Sequence, residues 1–235
     1  MNNNLSRLKD IANALGDIKD EVVFVGGSTV GLYIDDKAAP IPQPSEDIDC
    51  VVEIATYSEW NEFEAQLRKR GFQDVDHTGT DSNPPTCRKY FLGMKVDFMP
   101  VEESVLGYGN QWFKDGLKNS IKVNLDGMEI KIFKIEYFVA TKLKAFNDRG
   151  ITIDIRFSQD LEDLTELIDG ATKFEEEISN SKIQVKTFIT MEFAKFLSNK
   201  DVYKEAMYGF LGYDDSKTRE NRLDRIFDII QRLCR

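Results

Sequence analysis

Val22-Val23-Phe24-Val25-Gly26-Gly27-Ser28, and then Asp47-Ile48-Asp49-Cys50-Val51-Val52-Glu53-Ile54, carry the architecture of this chain. Four apolar residues ending at a glycine pair are long enough for a buried strand and too short for a helix. The glycines predict a strand-to-helix turn whose exposed N–H groups and small residues suit a phosphate. The helix opening at Ser28 cannot run past Ile34, because Asp35-Asp36 and then Pro40, Pro42 and Pro44 break it. The second segment is a strand. Residues two apart on a strand share a face, so Asp47 and Asp49 present their carboxylates together. Such a pair repels itself unless a cation or a proton sits between, and Mg²⁺ favours a few carboxylates plus phosphate oxygens.

On the N-terminal side, Leu5, Leu8, Ile11, Ala12 and Leu15 recur at helical spacing up to the stop signal Gly16. On the C-terminal side, Thr56 and Glu59 form a capping box for a helix running to Arg70, closed by Gly71. Residues 77–86 have loop composition, and the single histidine, His77, is expected there as an exposed side chain. Arg88–Leu92 and Lys95–Met99 flank Gly93-Met94 as a hairpin, with a third acid, Asp97, among apolar neighbours on its second strand. A third carboxylate on an adjacent strand would complete a two-metal site. Arg88 and Lys89 alternate on the first strand of that hairpin, so one of them faces the cleft, to neutralise phosphate or to form a cross-strand ion pair. Ile121–Leu125 and Met128–Phe133 flank Asp126-Gly127, a second hairpin.

After Lys134 the texture turns helical, through Tyr137–Phe146, Leu161–Ile168, Lys182–Leu197 and Lys217–Leu233. The expected fold class is therefore α+β: a small mixed sheet flanked by helices over 1–133, then an all-helical domain over 134–235. Trp60 and Trp112 have core-like neighbours and need no cofactor.

Composition excludes other classes. Of the 235 residues 41% are hydrophobic and 31% charged, which excludes a disordered or fibrous chain. No apolar run approaches a membrane span, and the N-terminal residues lack a signal-peptide core, so a cytoplasmic location without membrane contact is expected. Cys50, Cys87 and Cys234 form no CxxC, which argues against a disulfide framework and a zinc site. The net charge is −10, and residues 1–126 hold 13 basic against 21 acidic side chains. That balance disfavours broad nucleic-acid binding and suits carboxylates gathered around a cation, though a solvated acidic surface has the same composition. A dinucleotide fingerprint at Gly26-x-Ser28-x-x-Gly31 fails, because Ser28 replaces the second glycine and the prolines forbid a long crossover helix.

Gly-Ser after a strand, Asp-x-Asp opening the next and a third strand Asp resemble the nucleotidyltransferase superfamily with the polymerase-β-like fold. The stretch Lys134-Ile-Glu136 through Lys142-Leu-Lys144-Ala-Phe146, then Arg149 and Ser158-Gln-Asp160-Leu-Glu-Asp163, is similar to AbiEii-type nucleotidyltransferases of type IV toxin–antitoxin systems. The resemblance covers roughly residues 20–170. It implies transfer of a nucleoside monophosphate from a nucleoside triphosphate, ATP among the candidates, to a hydroxyl, with release of pyrophosphate.

In that scheme Gly27 and Ser28 hold the β- and γ-phosphates. Asp47 and Asp49 bind two Mg²⁺ ions, and Asp97 binds the catalytic one and helps deprotonate the acceptor. Lys142 lies near the triphosphate, while Lys144 faces elsewhere. Two departures stand out: Gln159 replaces the basic residue before Asp160, and the Ser28–Asp47 spacing is long. Its proline-rich part, 35–45, suits a lid, an acceptor-binding loop or a tolerated surface insertion. The acceptor is open among tRNA, protein and small molecule, and an antitoxin-like partner is implied. The alternatives are a non-catalytic nucleotide-sensing or protein-binding module, and a helical interaction protein on an α/β scaffold. Three converging acids without a cation should repel, so Asn at any one of them is expected to raise or preserve metal-free stability.

Overall fold

The computed structural model describes residues 3–75, 85–149 and 154–235; His77 and most of its loop lie outside them. Contacts divide the chain into two compact units, Met1–Thr29 with Gln43–Lys134 and Val30–Pro42 with Ile135–Arg235.

The first unit is built on a mixed sheet of strands β1 (Val22–Val25), β2 (Asp47–Val52), β3 (Gln73–Asp74), β4 (Arg88–Phe91), β5 (Met94–Pro100), β6 (Ile121–Leu125) and β7 (Met128–Ile132). Their order is β3-β4-β5-β2-β1-β7-β6. β2 runs antiparallel to β1 and parallel to β5, and β4 closes back antiparallel on β5. Alternation sorts the side chains. Cys50 and Phe98 are register partners on one face, where Phe98 meets Phe63 and Phe72 edge-on at centroid distances of 5.4 and 5.6 Å. Asp49 and Asp97 are register partners on the other face.

Helix α1 (Asn3–Leu15) buries Leu8, Ile11 and Leu15 at helical spacing and ends at Gly16, whose φ of +58° no bulky residue adopts cheaply. Helix α2 (Tyr57–Lys69) opens on the Thr56–Glu59 capping box and buries Trp60, Phe63 and Leu67. Both hairpins turn through consecutive left-handed residues, Leu92-Gly93 and Asp126-Gly127, the conformation of a two-residue type I′ loop. The short helices α3 (Glu103–Leu106) and α4 (Phe113–Lys118) have no counterpart in the periodicity. The helix expected from Ser28 is a single 3₁₀ stretch, Gly27–Leu32.

The second unit packs around α5 (Ile135–Arg149), which buries every residue from Ile135 to Thr141. Around it stand α6 (Gln159–Gly170), α7 (Phe174–Ser179), α8 (Ile183–Ser198), α9 (Lys200–Phe210) and α10 (Ser216–Leu233). Ser158 caps α6 by accepting from the Leu161 amide, and Phe146, Phe193, Phe196 and Tyr203 form an aromatic cluster.

Val30–Pro42 belongs to this helical unit and is pinned to it. The amides of Asp35 and Asp36 donate to the Gly170 carbonyl, Thr172 donates its amide and hydroxyl to the Asp35 carboxylate, and Arg222 reaches Asp36 at 2.6 Å. Ile34 packs against Gly170, where a Cβ would lie 2.8 Å from it. Residues 34–36 thus fasten the strap 30–42 to the helical unit.

The Thr172 hydroxyl and amide lower the pKa of Asp35. A depressed carboxylate stabilises fully above its unfolded pKa and loses that contribution as pH falls through its folded value. Asp35→Asn is therefore expected to lower the urea midpoint at about pH 6, with the difference from wild type shrinking as pH falls below the ordinary carboxylate range and through the depressed folded value. A difference of the same size at about pH 6 and at the acid end would show that the charge contributes nothing.

Candidate metal and phosphate site

Register places the three acids. Asp49 and Asp97 sit opposite each other on the parallel pair β2–β5, and Asp47 precedes Asp49 by one full pleat. One carboxylate oxygen from each of Asp47, Asp49 and Asp97 lies within 4.8 Å of the others. Asp97 is buried, and Asp47 and Asp49 are half-buried. Hard carboxylate oxygens at this spacing suit Mg²⁺, which takes few protein ligands and keeps positions for water and phosphate.

Gly26 fits against this cluster closely. Its φ is +74°, and a Cβ built on it would lie 2.0 Å from Asp49 Oδ2. The Gly26 carbonyl accepts from the Thr29 amide and hydroxyl at 3.0 and 2.8 Å, which fixes the turn between β1 and the 3₁₀ stretch. Ser28 is 1% exposed, and its hydroxyl has no hydrogen-bond partner among the described residues. A buried hydroxyl left unsatisfied is costly and uncommon, and a phosphate oxygen is one acceptor that would relieve it.

Arg88 faces the acids and Lys89 the opposite side, as strand alternation requires. Arg88 is the register partner of Asp97 on β4–β5 and donates from Nε and Nη2 to both of its oxygens at 2.8 Å. Nη2 also reaches Asp47 at 3.1 Å. Lys89, 4% exposed, is held by Glu64 and by Asp74 at 2.6 Å. The premise that the acids lack a compensating cation is therefore wrong: a guanidinium already supplies one positive charge, and Asn at position 97 breaks a bidentate pair.

In the second unit Lys142 reaches Asp163 at 2.5 Å and Asp160 at 3.3 Å, and Arg149 reaches Asp160 at 2.8 Å. Asp160 is buried, the Lys142 and Asp163 side chains are largely so, and Arg149 reaches in from the surface. Lys144 turns away to Asp148 on its own helix.

Two cysteines flank the acids. Burial first, and then the charges of Asp49 and Asp97, hold the Cys50 thiol well above its ordinary pKa. Burial and Asp97 push Cys87 up to about 12. Neither is a nucleophile near neutrality. With Ellman's reagent at about pH 8, the native protein is expected to show only slow reaction at half-buried Cys234, and all three thiols after denaturation. Rapid labelling of Cys50 or Cys87 in the native state would contradict the packing.

No protein-family model matches the sequence, and no curated protein matches it at a significant level. Several solved structures resemble it at low identity. An antigenic nucleotidyltransferase-like protein from Paracoccidioides brasiliensis superposes with a TM-score of 0.49 at 15% identity, over 86% of this chain and 92% of that one. JHP933 from Helicobacter pylori gives 0.47 at 14%, over 99% and 92%. A further Helicobacter pylori protein, assigned to the nucleotidyltransferases, gives 0.48 at 13%, over 100% and 96%. At identities this low the chemistry rests on the residues themselves. Among the described residues no helix is long and apolar enough to cross a membrane.

Proposed function

We propose that this protein transfers a nucleoside monophosphate from a Mg²⁺-bound nucleoside triphosphate to a hydroxyl acceptor and releases pyrophosphate. The observation that carries the reading is the convergence of Asp47, Asp49 and Asp97 within 4.8 Å beside the Gly26-Gly27-Ser28 turn. Bound by these acids, divalent ions would supply Lewis-acid polarisation of the phosphoryl oxygens and offset charge on the leaving pyrophosphate. Asp47 and Asp49 would hold both ions, and Asp97 would hold one and take up the proton of the attacking hydroxyl. The Ser28 hydroxyl and the Gly27 backbone would hold the outer phosphates, and Arg88 would pair with phosphate in the bidentate manner guanidinium favours. Catalysis then consists mostly of alignment and charge neutralisation.

The resemblance of Lys142 to a triphosphate-binding lysine and the toxin role it implies rest on the helical motif alone. A non-catalytic module is the second reading. It is favoured by the pairing of Arg88 with both Asp97 oxygens, the geometry of a structural ion pair.

Thermal denaturation with ATP, GTP, CTP and UTP, each with and without Mg²⁺, tests the first step. At least one nucleotide is expected to raise the melting temperature only when Mg²⁺ is present; at about a hundredfold excess over Kd the stabilisation is near 3 kcal/mol. No metal-dependent shift with any of the four at millimolar concentration would sink the proposal. Label transfer from each radiolabelled nucleotide to fractions of a cell extract then identifies the acceptor class and separates enzyme from sensor.

A further inference from the structure

We propose that Arg88 is an exchangeable counter-ion of the carboxylate cluster: it holds the acids when no metal is bound and competes with metal for them. In this account metal alone binds weakly, and metal with nucleoside triphosphate binds cooperatively. The inference rests on the reading of Asp47, Asp49 and Asp97 as metal ligands and goes beyond it by assigning Arg88 a regulatory role.

The geometry is that of a stand-in cation. Both oxygens of Asp97 accept from the Arg88 fork, and Asp47 accepts from the same Nη2, so two of the three ligands share one guanidinium. The Arg88 and Asp97 side chains are only 12% and 10% exposed, so solvent screens the pair poorly. A dication entering among these oxygens meets a fixed positive charge at hydrogen-bond range and must take up lone pairs that Arg88 now uses. Arg88 cannot ionise away, so it can yield only by moving.

A polyphosphate changes the balance. It offers a guanidinium bidentate acceptors as good as the carboxylate it leaves, so nucleotide binding lowers the cost of displacing Arg88. Metal and nucleotide then favour each other's binding by the same factor. Lys89 cannot replace Arg88 in this exchange, because it faces the other side of the sheet and is held by Glu64 and Asp74.

The test counts Mn²⁺ binding by electron paramagnetic resonance, without nucleotide and with a non-hydrolysable ATP analogue. Wild type, Arg88→Met, which keeps the stem without the charge, and Arg88→Lys, which keeps the charge without the fork, are compared. Without nucleotide, Arg88→Met is expected to bind Mn²⁺ about tenfold or more tightly than wild type, with Arg88→Lys between them. The analogue should raise Mn²⁺ affinity far more in wild type than in Arg88→Met. Metal-free Arg88→Met should also melt below wild type, because Asp97 and Asp47 lose their counter-charge.

Wild type supplies a readout that needs no variant. The Arg88 Nε–H resonance should shift on Mg²⁺ titration in step with the Gly26 amide. Mn²⁺ affinity in Arg88→Met equal to or below that of wild type overturns the exchange, as does an Nε–H signal that stays fixed while Gly26 titrates. If wild type binds Mn²⁺ with the analogue but the variant is no tighter without it, the exchange alone fails. If no protein binds Mn²⁺ under any condition, the metal reading fails and the exchange with it.

Discussion

Asp97→Asn is expected to reduce nucleotidyl transfer by about 10³-fold or more and, at the same time, to lower the melting temperature of the metal-free protein. The loss of transfer follows from the roles proposed for this carboxylate as a metal ligand and as the acceptor of a proton; removing one transition-state electrostatic group commonly costs that much. The loss of stability follows from Arg88. Asp97 is buried and accepts from Arg88 on both oxygens at 2.8 Å. Asn keeps one oxygen, replaces the other with a donor pointed at a donor, and leaves a poorly solvated guanidinium short of an acceptor. Breaking one charged hydrogen bond of this kind costs about 1–3 kcal/mol.

A simple repulsion argument predicts the opposite sign for stability, so the melting temperature separates the two accounts. Asp47→Asn should be milder, since Asp47 is half-buried and receives a single Arg88 contact at 3.1 Å. Melting curves and label transfer measured together on the two variants decide the matter. If Asp97→Asn melts above wild type, the Arg88 pair is not stabilising; if it transfers label normally, Asp97 is no ligand.

All of the sheet but the two-residue β3 was legible, because its signals are local. Val22–Val25 is too short for anything but a strand, Asp126-Gly127 selects a hairpin, and the Thr56–Glu59 box marks the first residue of α2. The convergence of the acids was legible in part. Alternation puts Asp47 and Asp49 on one face, but only the β2–β5 register brings Asp97 beside Asp49, and register between distant strands leaves no mark in a sequence. Alternation also requires Arg88 and Lys89 to face opposite sides, yet which one meets the acids depends on the β4–β5 pairing.

Helices α3, α4, α7 and α9 escaped because short or charge-rich segments show too few turns for a periodic stripe. The strap 30–42 escaped for a different reason. Its prolines announce irregular backbone, but the Asp35–Thr172 and Asp36–Arg222 contacts span well over a hundred residues of chain. The role of Gly26 was likewise hidden: a glycine pair after a strand signals a turn and says nothing of the carboxylate lying against it.

That carboxylate makes Gly26→Ala the most damaging small substitution expected in the first unit. Two costs are superposed. At φ +74° any L side chain is strained, and the new methyl would lie 2.0 Å from Asp49 Oδ2 and 2.8 Å from its Cγ. The strain alone is worth about 1–2 kcal/mol. The overlap cannot be tolerated, so either the turn or the Asp49 side chain must move. Moving Asp49 takes one oxygen out of a cluster whose members now lie within 4.8 Å of one another.

Gly93→Ala isolates the first cost, because Gly93 has a φ of +79° with nothing among the described residues within 4 Å of a new Cβ. The expected result is a modest loss of stability and unchanged Mn²⁺ binding for Gly93→Ala, against a larger loss and at least about a tenfold weaker Mn²⁺–nucleotide complex for Gly26→Ala. Gly26→Ser should fail in the same way, since its Cβ occupies the same point. Urea unfolding and Mn²⁺ binding on the two alanine variants form the comparison. Equal destabilisation together with intact metal binding would mean that Asp49 does not hold its metal-binding position by resting on Gly26, and the geometry proposed for the site would then be wrong at its centre.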